Sequence, residues 1–150
     1  MAGVLSAAGG FLLAVLWMDL MFDTQARGRD AVLGQPALES ITAYYRRATT
    51  GSQPMGRLIA AVMALLLAGL VTEAVSGHTP GRLLAVSAVL AGGPIVLALV
   101  RTVPNAVRLG LGTGSPAELT RLARAVLADH ILCAFGMAAF VAIWVFRSLN

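Results

Sequence analysis

LLAVSAVLAGGPIVLALV, residues 83–100, contains no charged side chain and is closed off by Arg82 and Arg101. At about 1.5 Å of rise per residue, a helix of this length nearly crosses the ~30 Å hydrocarbon layer of a bilayer. Three similar stretches lie at residues 4–22, 58–75 and 126–146. Backbone polar groups in lipid must find partners within their own segment, so each stretch is expected to be a helix. The fold reads as all-α, a four-helix transmembrane bundle forming one domain over residues 1–150. Composition agrees: 58% of residues are hydrophobic and 12% charged, against about 45–50% and 25% in soluble domains. A soluble chain of this size exposes too much surface to hide four such helices.

Charge sets the orientation. The net charge is +4, and all eleven basic residues are arginine. Arg27, Arg29, Arg46, Arg47 and Arg57 lie in or beside the first connection, and Arg101, Arg108, Arg121 and Arg124 in or beside the third. By the positive-inside rule these connections are cytoplasmic and both termini face outward across the cell membrane. The basic excess thus reads as topology and attraction to anionic lipid headgroups, and a nucleic-acid partner is not expected. The first stretch lacks a basic leader and a small-residue cleavage site, so it is expected to be a retained span.

In the first connection, Gln35-Pro36 opens a short helix on which Leu38, Ile41 and Tyr45 share one side. This predicts an interfacial amphipathic helix on the inner membrane surface, with packing beneath the bundle as the alternative. Ser115-Pro116-Ala117-Glu118 is a capping box, from which the fourth helix should run unbroken into its span. Pro94 should kink the third. Stripes of small residues, Ala60-Ala64-Ala68 and Ala134-Ala138-Ala142, and the pair Ser6 and Gly10 suit close helix contact. Gly110–Gly114 (GLGTG) reads as a flexible linker rather than a phosphate loop.

Polar residues in a bilayer are costly and usually face the bundle interior. Asp19 and Asp23 share a face at the inner end of the first span, and Arg101, Asn105 and Arg108 follow at the inner end of the third. Arg124, Asp129 and His130 stand at the same depth in the fourth. The expectation is an ion-pair lattice of carboxylates with guanidiniums, or a polar pocket open to the cytoplasmic leaflet. In such a pocket Asp19 or His130 would move a proton and Arg101 or Arg108 would hold an anionic group. Asp19 is the sharper candidate, because Asp23 can reach the interface. His130, Cys133 and Met137 share a face, with Met18 and Met21 at similar depth on the first span. Imidazole with soft sulfur suits copper(I), and His130 alone suits a haem iron, although no cofactor is the plainer expectation. Glu73 is expected to pair with Arg82 across the short outer hairpin.

The four-span plan, the glycine-containing first helix, and Val103-Pro104-Asn105 followed by Arg108 resemble small bacterial membrane proteins related to anthrone oxygenases. Where that pattern has Trp and Arg at the entry to the fourth helix, this chain has Asp129-His130. The resemblance implies a cofactor-independent oxygenase acting on an aromatic polyketide, with Asn105 as a polar site residue.

Two function classes follow. The first is a non-enzymatic membrane component that packs against itself or a partner helix. The alternative is a small membrane oxidoreductase or oxygenase with a pocket built from Asp19, Arg101, Asn105 and His130. The sequence favours the first, since each polar residue has a structural explanation. A proton-coupled exporter built around Glu73 stands third.

Overall fold

A computed structural model of the chain describes residues 1–51 and 53–149. Every regular element among them is helical: α1 (Ala2–Asp23), α2 (Gln35–Arg46), α3 (Gln53–Ser76), α4 (Gly81–Leu97), α5 (Val103–Leu111) and α6 (Pro116–Leu149). A 3₁₀ turn, Thr24–Arg27, extends α1, and π-helical turns at Arg47–Gly51 and Ala98–Thr102 follow α2 and α4. Four helical runs are long and apolar enough to cross a membrane: Ala2–Arg27, Pro54–Ser76, Gly81–Leu111 and Pro116–Leu149. The chain is therefore a membrane-embedded helical protein.

The long helices pack in a ring, α1 on α6, α6 on α4, α4 on α3 and α3 back on α1. Leu5, Leu66, Ile95, Phe140 and Trp144 fill the centre. The indole N–H of Trp144 donates to Ser87 Oγ at 3.0 Å, so the most deeply buried tryptophan leaves no orphan donor. Large apolar side chains such as Val75, Val89, Leu99 and Phe135 point outward, a surface that only lipid or another apolar partner covers well. Trp17, 69% exposed, points outward as well.

Close helix contact is carried by glycines rather than by the alanine stripes. Ala60, Ala64, Ala68, Ala138 and Ala142 are exposed, because the helix faces that meet present bulkier residues to one another. A Cβ on Gly9 would lie 2.9 Å from Val141, one on Gly69 2.8 Å from Leu5, and one on Gly136 3.1 Å from the Leu90 carbonyl oxygen. That carbonyl is the one freed by Pro94, which has no N–H to offer it. Gly136 lets α6 approach the gap.

The third span is longer than its apolar core implied. The helix passes through the π turn and on into α5, where Pro104 occupies the first turn. Thr102 Oγ1 lies 3.4 Å from Leu97 O and takes up the widened turn. The α5 helix then stops at Gly112, whose φ of +66° is the left-handed conformation of a helix C-cap. Gly110 is not a linker residue: a Cβ there would sit 2.9 Å from both Tyr45 C and Arg46 N, so α5 and α2 touch backbone to backbone.

The α2 helix also departs from the interfacial expectation. Its apolar side, Leu38, Ile41 and Tyr45, is buried against α5, α6 and the 3₁₀ turn, together with Leu109 and Val126. An amphipathic face gains as much from protein as from lipid when a matching face is within reach, and α5 supplies one. Three of the arginines at this end, Arg46, Arg47 and Arg124, serve carbonyls. Arg124 donates to Ala26 O, Gly28 O and Asp30 O at 3.4, 2.7 and 2.5 Å, tying the first connection to α6. Arg46 donates to Gly110 O at 3.3 Å. The α6 helix starts on its capping box, Glu118 N–H donating to Ser115 Oγ at 3.2 Å, while the Glu118 carboxylate turns to Arg108.

At the opposite end Glu73 does not meet Arg82. Its carboxylate accepts the Thr79 hydroxyl, and Arg147 donates to Thr79 Oγ1 and His78 O. The short turn after α3 brings Thr79 back over Glu73, whereas Arg82 stays exposed.

Candidate functional site

Asp19 and Asp23 are one turn apart at the end of α1, and both aim inward where α2 and α6 cross it. Asp23, expected at the interface, is 1% exposed. The 3₁₀ turn that follows α1 and the docked α2 cover it. Its Oδ1 accepts the Tyr45 hydroxyl at 2.6 Å, and its Oδ2 lies 2.6 Å from His130 Nδ1. Asp19 Oδ1 accepts the Tyr44 hydroxyl at 2.5 Å, and its Oδ2 lies 3.9 Å from His130 Nε2. His130 thus sits between two carboxylates, bonded to one and just out of reach of the other.

The expected guanidinium lattice is replaced by phenols. Adjacent tyrosines can serve carboxylates one helical turn apart because α2 crosses α1 at this point, and Phe22 stacks on Tyr44 at 4.0 Å to hold the crossing. A phenol donates one hydrogen bond without bringing a charge that must itself be desolvated. Arg101, 54% exposed at its side chain, pairs instead with buried Asp129 at 3.3 Å, and Thr102 Oγ1 lies 3.2 Å from the same Asp129 oxygen. Asn105 is half-buried on α5 and its side chain makes no hydrogen bond among the described residues. The structure therefore brings Asp19 and His130 together and leaves Arg101 and Asn105 outside the cluster.

A cavity of about 150 Å³ adjoins the cluster, bounded by α1, α3, the α4–α5 junction and α6. Its lining is largely apolar, including Leu12, Met63, Ile95 and Met137, with Asp19, Thr102 and His130 as its polar members. Asp23 is not part of the wall. His130 and Asp19 both line the cavity, with His130 Nε2 turned toward Asp19 and Nδ1 held by Asp23.

Cys133 and Met137 line the same cavity, as their shared helix face implied. The Cys133 thiol is directed at Pro94 O, 3.8 Å away. Met18 and Met21 are exposed on the outer side of α1 and belong to no such group. Among the described residues no three His, Cys, Asp or Glu side chains are gathered for a metal ion.

Burial, followed by the neighbouring carboxylates, raises both Tyr44 and Tyr45 above the ordinary phenol range. An unfolded tyrosine ionises near pH ~10. The stabilisation is thus complete below that value and is lost as pH climbs through the higher folded values, because a phenolate cannot donate to Asp19 or Asp23. The chain holds two tyrosines, both of them here, so the phenolate absorbance band reports on this site alone. In detergent it is expected to stay flat past pH ~10 and then rise steeply together with loss of helix signal. A smooth ordinary titration would place both hydroxyls in water.

No family model, curated protein or solved structure matches this chain.

Proposed function

We propose that the chain is a multi-pass protein of the cell membrane in which His130 and Asp19 exchange a proton with a small lipophilic molecule held in the adjoining cavity. The arginine-rich end lies in the cytoplasm and both termini lie outside, an orientation supported by the placement of nine of the eleven arginines. Membrane lipid covers the outward apolar face, and the exposed Ala60-Ala64-Ala68 ridge leaves room for a second copy or a partner helix.

One observation carries this reading. His130 is fixed through Nδ1 on a fully buried carboxylate, its other nitrogen is turned toward Asp19, and both residues line a cavity. The two ring nitrogens thereby take different tasks, one orienting and one exchanging. A weakly acidic O–H or C–H of the bound molecule would pass its proton to the His130–Asp19 pair, and the partly desolvated surroundings would strengthen that exchange. Cofactor-independent oxygenation, implied by the resemblance, would begin with the same abstraction. The cavity, however, is sized for one ring, and an anthrone has three fused rings.

A second reading keeps the cluster purely structural, a lock that ties α2 to α1 and α1 to α6. It is favoured by the two tyrosines, each occupying one oxygen of each aspartate. The two readings separate in native cells. Deletion of the gene and a His130→Gln replacement are expected to cause the same lipophilic compound to accumulate in membrane extracts, with the variant present at normal levels. An altered profile on deletion and a normal one for His130→Gln would sink the proton-exchange reading.

A further inference from the structure

The walls of the cavity are unequal. On α6 it is backed by buried His130, Cys133 and Met137, and on α1 by buried Leu12 beside half-buried Val15, Leu16 and Asp19. On α3 it is closed by Ile59 and Met63, both only half-buried, and no residue from 54 to 65 is buried. The tight packing of α3 begins with Leu66, Gly69 and Leu70. The first half of this helix is therefore a thin wall, and the surface beyond it carries exposed Met55, Leu58 and Leu65, with Arg57 as its charged residue near the helix start. A molecule entering past it comes from lipid.

Size and polarity narrow the occupant. An apolar cavity of about 150 Å³ accommodates a benzene-sized ring. A molecule with no polar group would leave the Asp19–His130 corner unsatisfied, and one with a charged group would be excluded by the remaining walls. A ring bearing one hydroxyl satisfies both demands. Resting on the proton-exchange reading above, we propose that the cavity binds a single-ring phenol, which enters from the bilayer between the first half of α3 and the α4–α5 junction. Its ring lies among Leu12, Met63, Ile95 and Met137, and its hydroxyl donates to the His130–Asp19 pair.

The test uses the whole chain in lipid nanodiscs, labelled at its methionine methyls, with phenol and benzene as probes. Saturable shifts are expected at Met63 and Met137, while Met55, on the exposed start of α3, responds only linearly as the probe dissolves in lipid. Phenol is expected to bind about 10-fold or more tightly than benzene, the effect of one hydrogen bond to a charged group. Met63→Trp, which fills the void from its thin side, should abolish saturation by both. Equal affinities in the unaltered protein, or no saturable shift at Met137, would overturn the proposal. If phenol fails to bind while His130→Gln cells still accumulate a compound, the ligand class is wrong and proton exchange stands. If phenol binds as described and no compound accumulates, the ligand class stands and proton exchange falls.

Discussion

Asp23→Ala is expected to cost about 3–5 kcal/mol of stability, the loss seen when one member of a buried, hydrogen-bonded charged group is removed. The carboxylate is 1% exposed and accepts from Tyr45 while holding His130. Its removal orphans a phenol on α2 and an imidazole on α6 together, both buried away from bulk solvent. Asp23→Asn keeps an acceptor for Tyr45 and is expected to cost less, about 1–3 kcal/mol. With its oxygen kept on Tyr45, its NH2 group stands in the place of Oδ2 and cannot accept from Nδ1, so the ring must turn to the other tautomer. A comparable exchange behind a catalytic histidine lowers turnover by about 10⁴-fold, and the accumulation expected of His130→Gln cells should appear in Asp23→Asn cells as well. Unfolding in detergent followed by tryptophan fluorescence measures the stability terms, with exposed Asp30→Ala as the reference. Equal midpoints for Asp23→Ala and Asp30→Ala would mean that Asp23 is solvated.

Gly110→Ala is the second large effect. The added methyl would meet Tyr45 C and Arg46 N at 2.9 Å, and neither is the movable end of a side chain. Overpacking of this kind costs about 1–3 kcal/mol even where side chains can yield, and here a whole helix has to move. Displacement of α2 carries Tyr44 and Tyr45 away from Asp19 and Asp23, so the structural cost adds to the loss of both phenol bonds. The expected outcome is a lowered unfolding midpoint together with an ordinary phenol titration. Gly92→Ala provides the contrast. Nothing lies within 4 Å of a Cβ there, and the better helix propensity of alanine should make it neutral or stabilising by up to about 1 kcal/mol. Equal behaviour of the two variants would show that α2 does not dock on α5.

The contrast between these sites bears on what the sequence could reveal. The four spans were legible because length and hydropathy are summed over many residues, so no single side chain decides them. The Ser115 cap and the Pro36 start were legible because each is a local event. The end of the third span was not: Arg101 and Pro104 look like a boundary, yet a π turn absorbs both and the helix continues. The alanine stripes misled for a related reason. Small residues permit close approach but do not choose the face, and the bulk opposite Gly9, Gly69 and Gly136 makes that choice.

The site was half legible. Asp19 and His130 stood out because an ionisable group at that depth demands a reason. Asp23, four residues further on, was expected to reach the interface, because nothing in α1 itself says that α2 will cover it. The spacing of Tyr45 puts it on the buried side of α2, but the helical period counts it as apolar and is silent on its hydroxyl. The available signal was the coincidence of two adjacent tyrosines with two aspartates one turn apart, in a chain with no other tyrosine. Arg101 and Asn105 drew attention by charge and by resemblance, and the neighbours they meet, Asp129 in one case and no polar side chain in the other, are tertiary facts.

The bond from Asp23 to His130 carries the most weight, and nitrogen-15 NMR of the histidine side chains in lipid nanodiscs reads it directly. The chain has two histidines, and His78 lies at the opposite end in the turn after α3, so the signals are separable. A strongly deshielded Nδ1 proton is expected on His130, from its 2.6 Å contact with a carboxylate. That signal should vanish in Asp23→Asn and survive in Asp19→Asn. A His130 spectrum like that of a freely hydrated imidazole, or one indifferent to Asp23→Asn, would contradict it.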